Sequence, residues 1–164
     1  MKPVPSNLPN SVSKWWAGVF AAQHKRASSV NVIIEDSGGR LLIVKSQYKP
    51  YWSMPGGWID KGDSPRQAAV REVKEEVELS LEAASLELAS VVNRWSTMAE
   101  THLFVFRLID PIDSSAKLTI QSDELVDYDW VRRGEVLEEK HGAYNVAIKN
   151  WASDSPETYI EEKF

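Results

Sequence analysis

Gly57–Leu79 reads GWIDKGDSPRQAAVREVKEEVEL, and this stretch decides how the chain is read. From Pro65 onward, Ala69, Val73 and Val77 repeat at i, i+4 and i+8, joined by Val70. Such a row makes one face of an amphipathic helix that packs on a sheet. Ser64 stands where an N-cap belongs, and Pro65 at the first helical position, where its missing N–H costs nothing. Glu72, Glu75 and Glu76 are spaced i, i+3 and i+4, so their carboxylates project from a second face. Three clustered carboxylates repel one another unless a cation lies among them, and Arg71 offsets only part of that. Hard carboxylate oxygens suit Mg²⁺ or Mn²⁺, which keep waters and bind substrate phosphates. By helix spacing alone, a solvated acidic face explains the three residues at least as well. The residues ahead of the helix reverse that balance. Pro55-Gly56-Gly57 sets a tight turn where backbone approaches a ligand closely, because glycine carries no side chain.

The whole segment closely resembles the Nudix box: Gly, five residues, Glu, seven residues, then Arg-Glu-aliphatic-x-Glu-Glu-x-Gly-aliphatic. Gly57, Arg71, Glu72, Val73, Glu75, Glu76 and Leu79 match at the required spacing, flanked by Pro55, Gly56, Gly62, Ala68 and Ala69. Two positions depart. Asp63 replaces Glu, which keeps the charge and shortens the reach by one methylene. Glu78 replaces the Gly that normally closes the helix in a left-handed conformation, a geometry that costs Glu on the order of 1 kcal/mol. The helix is therefore expected to run on or to end by another route.

The resemblance implies a metal-dependent hydrolase of a diphosphate bond. In that reading Glu72, Glu75, Glu76 and the Gly56 carbonyl hold Mg²⁺, with Mn²⁺ as a substitute, and Arg71 positions a catalytic Glu such as Glu72. The general base comes from the helix or from a later loop, where Glu124 is the first candidate and Asp123 and Asp127 compete. An acidic surface turn explains that loop equally well. His24, His102 and His141 lack metal-ligand spacing and receive no catalytic role.

The expected fold is α/β, with helices covering a mixed sheet; the resemblance makes it a Nudix-like α/β/α sandwich over residues 27–164. Ser29 to Ile34 is β-branched, Asp36-Ser37-Gly38-Gly39 is a turn, and Leu41 to Val44 follows, which predicts a hairpin. Leu86 to Val92 and His102 to Leu108 read as strands. An acidic loop spans Gln121 to Asp127, Tyr128 to Val131 reads as a short strand, and Tyr144 to Trp151 as a closing helix. Residues 1–26 are expected to form an arm broken by Pro3, Pro5 and Pro9, then a short helix from Ser11 or Ser13 to Ala22. Trp15 and Trp16 would pack on the domain or on a second subunit, which leaves a homodimer open.

Composition narrows the remaining classes. Hydrophobic residues at 43% and charged residues at 26% describe an ordinary folded chain rather than a disordered one. The absence of cysteine excludes a disulfide framework, a thiolate nucleophile and a Cys-based zinc site. A net charge of −5 argues against a surface that coats DNA, but not against a phosphorylated small molecule, since a bound divalent cation inverts the local sign. No apolar run reaches the length of a membrane span, and no signal peptide is evident, so a cytoplasmic protein is expected. Tyr48, Tyr51, Trp52, Trp58 and Trp95 are candidates to stack on a base, and Arg94 and Arg107 to meet phosphate, although packing and surface roles explain each as well. The features that mark ADP-ribose, dinucleoside polyphosphate and coenzyme A hydrolysis within the family are missing. The expected substrate is thus a nucleoside diphosphate linked to another group. The other class to weigh is a non-catalytic Nudix-fold nucleotide-binding or sensor module, but such proteins usually lose a box carboxylate and this chain keeps all three. A Nudix-like isomerase of the familiar type depends on a Cys that this chain lacks.

Overall fold

A computed structural model of the chain describes residues 26–97, 99–116, 118–120 and 124–163. The arm and helix expected before Arg26, with Trp15 and Trp16, lie outside the described residues, and so does Asp123. The amphipathic segment forms helix α1, Pro65–Val77. Its first turn is closed reciprocally. The Gln67 backbone N–H donates to the Ser64 hydroxyl at 3.3 Å, and the Ser64 N–H donates to the Gln67 side-chain oxygen at 3.0 Å. Ala68, Ala69, Val73 and Val77 are buried, as their spacing requires. At the far end Glu78 adopts the left-handed conformation itself, with φ 56° and ψ 20°. Contrary to the sequence expectation, the helix therefore neither runs on nor ends by another route, but ends as it would with glycine, at the cost of strain.

Among the described residues there are six strands: β1 (Ala27–Ile33), β2 (Leu41–Ser46), β3 (Leu86–Trp95), β4 (Glu100–Leu108), β5 (Leu125–Val131) and β6 (Tyr159–Lys163). Four form a mixed sheet in the order β1-β4-β3-β6, in which only β3 and β4 run antiparallel. Strands β2 and β5 make a separate antiparallel pair. Two short helices follow β5: α2 (Arg133–Leu137) and α3 (Val146–Ala152), the latter capped by the Asn145 side chain.

Alternation along the strands produces the layers. Val30 and Val32 of β1, Leu42 and Val44 of β2, and Phe106 and Leu108 of β4 pack with the buried face of α1. Their neighbours Ile33, Leu41, Ile43, Leu103 and Val105 pack on the opposite side with Val136, Ala147, Ile148 and Trp151. Helices thus cover both faces, giving the α/β/α arrangement. Among the described residues no helix is long and apolar enough to cross a membrane.

Two further sequence expectations are corrected, and two short elements were not anticipated. The turn after β1 forms, with the Asp36 N–H donating to the Arg40 carbonyl and a single bridge between Glu35 and Leu41, but the two strands do not make a hairpin. Each is buried on both faces over most of its length and takes its own partner, β4 for β1 and β5 for β2. Strand β5 begins at Leu125, inside the expected acidic loop, because Leu125 is buried against the α1 side of the core. Strand β6 and helix α2 carried no clear periodic signal, being five residues each.

Candidate active site

The segment before α1 lies beside β1. The Val32 N–H donates to the Pro55 carbonyl at 2.9 Å and the Val30 N–H to the Gly57 carbonyl at 2.8 Å, so this pairing does not use the carbonyl of Gly56. Gly56 has φ 145°, and a Cβ there would collide with the Val30 carbonyl; only glycine fits. Its N–H donates to Glu76 Oε2 at 2.7 Å. A Cβ on Gly57 would run into the Glu72 carboxylate. The two glycines therefore bring backbone directly against two carboxylates of α1.

Arg71 gathers the acidic groups. Its Nη1 donates to Glu72 Oε1 at 2.7 Å and to Glu75 Oε2 at 3.1 Å, its Nε to Asp63 Oδ2 at 3.3 Å, and its Nη2 to the Trp58 carbonyl at 3.0 Å. Asp60 lies 3.4 Å from Nη2. Asp63, one methylene shorter than the Glu of the box, still reaches the guanidinium. Burial works against the charge on Arg71, but Glu72, Asp63 and Glu75 outweigh it and raise its pKa above the usual value.

Residues 25–151 match the NUDIX domain family. This chain belongs to the Nudix family of hydrolases. An RNA pyrophosphohydrolase of Hydrogenovibrio crunogenus is 27% identical over 142 residues, covering 73% of this chain and 84% of its own. A protein of Bacillus subtilis provisionally named 8-oxo-dGTP diphosphatase is 38% identical over 73 residues, covering 44% of this chain and 48% of its own, about half the length of that relative. The crystal structure of a MutT protein from Bacillus halodurans superposes with a TM-score of 0.65 at 21% identity, covering 84% of this chain and 90% of that one; at this identity it shares the fold.

The Nudix box forms one wall of a cleft of about 890 Å³, which Glu124 and Leu125 line as well. Burial raises the Glu76 carboxyl to about 7; the Gly56 N–H and Lys49 offset part of this, while Glu72 and Glu124 add to it. Burial likewise raises Glu72, against the pull of Arg71, with Glu75 and Glu124 pushing the same way. Glu124 thus lies close enough to act on the Glu72 and Glu76 carboxylates. Its competitor Asp127 is outside the lining, its Oδ1 accepting from the Tyr128 N–H at 2.9 Å.

Among the sequence candidates, Tyr48, Tyr51, Trp58 and Arg94 line the cleft, whereas Trp52, Trp95 and Arg107 do not. Arg94 is bound to Glu162 of β6 at 2.6 Å, and Arg107 to Glu35 at 3.3 Å. Lys49, Asn31 and Asn145 were not singled out from sequence, yet all three line the cleft. Asn145 Nδ2 donates to Asn31 Oδ1 at 3.0 Å, which ties the α3 cap to β1. No spacing announces such residues, because each arrives from a separate element. His141 lies apart from the cleft, with Nε2 2.8 Å from Asp129 and Nδ1 3.1 Å from the Tyr144 hydroxyl.

Proposed function

We propose that this Nudix hydrolase cuts a diphosphate bond in a nucleoside diphosphate linked to another group, using Mg²⁺, with residues 27–164 as the catalytic domain. One observation carries the reading: Glu72, Glu75 and Glu76 of one helix and the backbone of Gly56 line a single cleft. The donor set fits a hard divalent cation by chemistry, being three carboxylates and a carbonyl. Among the described residues no three acidic or histidine side chains are already arranged as a ligand group, because Arg71 draws Glu72 and Glu75 to itself. Glu75 is 59% exposed and can swing away from the guanidinium. Glu72, Glu75, Glu76 and the Gly56 carbonyl would hold Mg²⁺, which when bound neutralises diphosphate charge and activates water; Mn²⁺ would substitute.

The chain's own residues do the rest. Arg71 fixes one oxygen of Glu72 by a charge-assisted bond while Gly57 confines the other side of that carboxylate. Glu124, on the loop wall, accepts the proton of the attacking water as general base. Lys49 and Lys74 line the same cleft and meet the phosphate oxygens. The relatives named as RNA pyrophosphohydrolases match across most of their own length, which is the reason to try triphosphorylated RNA 5′ ends first. An oxidised deoxynucleoside triphosphate comes next, from the relative with the higher identity over a shorter match.

Mg²⁺-dependent product release, measured across those two, canonical nucleotides, nucleotide sugars, ADP-ribose and dinucleoside polyphosphates, tests the reading. Turnover of one class, lost in Glu76→Gln and strongly reduced in Glu124→Gln, is expected. Nucleotide binding without turnover of any class would instead favour a sensor module.

A further inference from the structure

Trp58 follows Gly57 by one peptide step, about 3.8 Å between Cα atoms, and at Gly57 the Glu72 carboxylate occupies the space that a Cβ would take. Its backbone is clamped on both sides. It bridges to Ser29 of β1, and its carbonyl accepts from Arg71 Nη2 at 3.0 Å. Trp58 nevertheless remains 60% exposed and lines the cleft. A large ring on a rigid mount that covers so little of the core contributes little to folding. That exposed surface belongs to the same cleft as the carboxylates that would handle the diphosphate. Tyr48 is the other exposed ring of the cleft, at 67%, but it lies on a loop and already has the Lys49 ammonium 5.7 Å from its centroid.

We propose that Trp58 is the stacking platform for the base of the nucleotide substrate, so that the enzyme requires an aromatic base but discriminates weakly among bases. This rests on the nucleotide reading above. A base presents a π-face whatever its identity, and stacking on an aromatic ring is correspondingly tolerant of sequence. The clamp explains why a single ring suffices: the backbone is already ordered, so little conformational freedom is lost on binding.

Titration calorimetry of the full chain with AMP and with ribose 5-phosphate, which differ by the base alone, tests the assignment. The unsubstituted protein is expected to bind AMP more tightly. Trp58→Ala should cut that preference by roughly 5- to 150-fold, the loss that stacking on one ring carries, leave ribose 5-phosphate affinity unchanged, and keep the melting temperature. Trp58→Phe should restore most of the preference. Absence of any preference for AMP, a preference that survives Trp58→Ala, or one lost in Tyr48→Ala instead, would overturn it. Hydrolysis is scored separately. A Trp58-dependent preference without turnover would sink the hydrolytic reading and keep the platform, whereas turnover with a Trp58-independent preference would do the reverse.

Discussion

Gly56 and Gly57 are adjacent, yet a methyl group added to each meets different obstacles. At Gly56 it meets the Val30 backbone, which cannot move without disturbing β1. Gly56→Ala is therefore expected to cost about 2–4 kcal/mol through overpacking and the positive φ, read as a large drop in the circular-dichroism melting temperature. At Gly57 it meets the end of a flexible side chain, Glu72, which can turn aside. Gly57→Ala should thus keep stability within about 1 kcal/mol while turnover falls on the order of tenfold or more, because a displaced carboxylate no longer holds its geometry. These positions were legible in the sequence because glycines, Arg71 and carboxylates share one continuous segment with fixed spacing. Lys49, Asn31 and Asn145 were not, since tertiary packing alone brings their three elements to the cleft.

Helix α1 shows how an element absorbs a departure from its family pattern. Glu78 holds the left-handed position at φ 56°, so Glu78→Gly should stabilise the protein by about 0.5–1 kcal/mol, measured as a higher denaturation midpoint with unchanged slope. The turn after β1 depends on Asp36, whose Oδ1 accepts from the Gly38 and Arg40 N–H groups at 2.9 Å and whose Oδ2 accepts from Arg40 Nε at 2.7 Å. Burial opposes its charge, but the Arg40 backbone N–H and guanidinium outweigh this and hold its pKa below the ordinary value. A depressed folded-state pKa means that the stability is present above the unfolded pKa, near 4, and fades as pH falls through the folded one. The melting-temperature gap between wild type and Asp36→Asn should accordingly be wide at pH 7 and close towards pH 3. Local turn chemistry at Asp36-Ser37-Gly38-Gly39 was readable, yet it did not determine the pairing. Strands β1 and β2 are buried on both faces, and for such strands tertiary context selects the neighbour.

At the scale of the molecule, helices covering a mixed sheet were legible from the mixture of strands and helices, and the sandwich from the resemblance of the segment Gly57–Leu79 to the Nudix box. The fourth strand of the sheet was not. Tyr159–Lys163 is an exposed edge whose alternation is weak, and β6 is held by pairing with β3 and by the Glu162 contact to Arg94. A whole-molecule consequence follows from the charge balance around α1. Divalent cation binding to the folded chain alone should raise the melting temperature in proportion to the logarithm of its concentration. At saturating Mg²⁺ a rise of several degrees is expected for wild type, with little for Glu76→Gln.

The most direct test of the metal-carboxylate reading is the initial rate of diphosphate cleavage against Mg²⁺ concentration, for wild type and Glu76→Gln with the best substrate of the panel. The predicted result is a saturable rise from a baseline set by chelator. In the variant, which should melt as a folded protein, the rate should be lower by a hundredfold or more, as expected when several kcal/mol of charge stabilisation is removed. A Glu76→Gln rate equal to wild type, or turnover indifferent to Mg²⁺ and chelator alike, would contradict it.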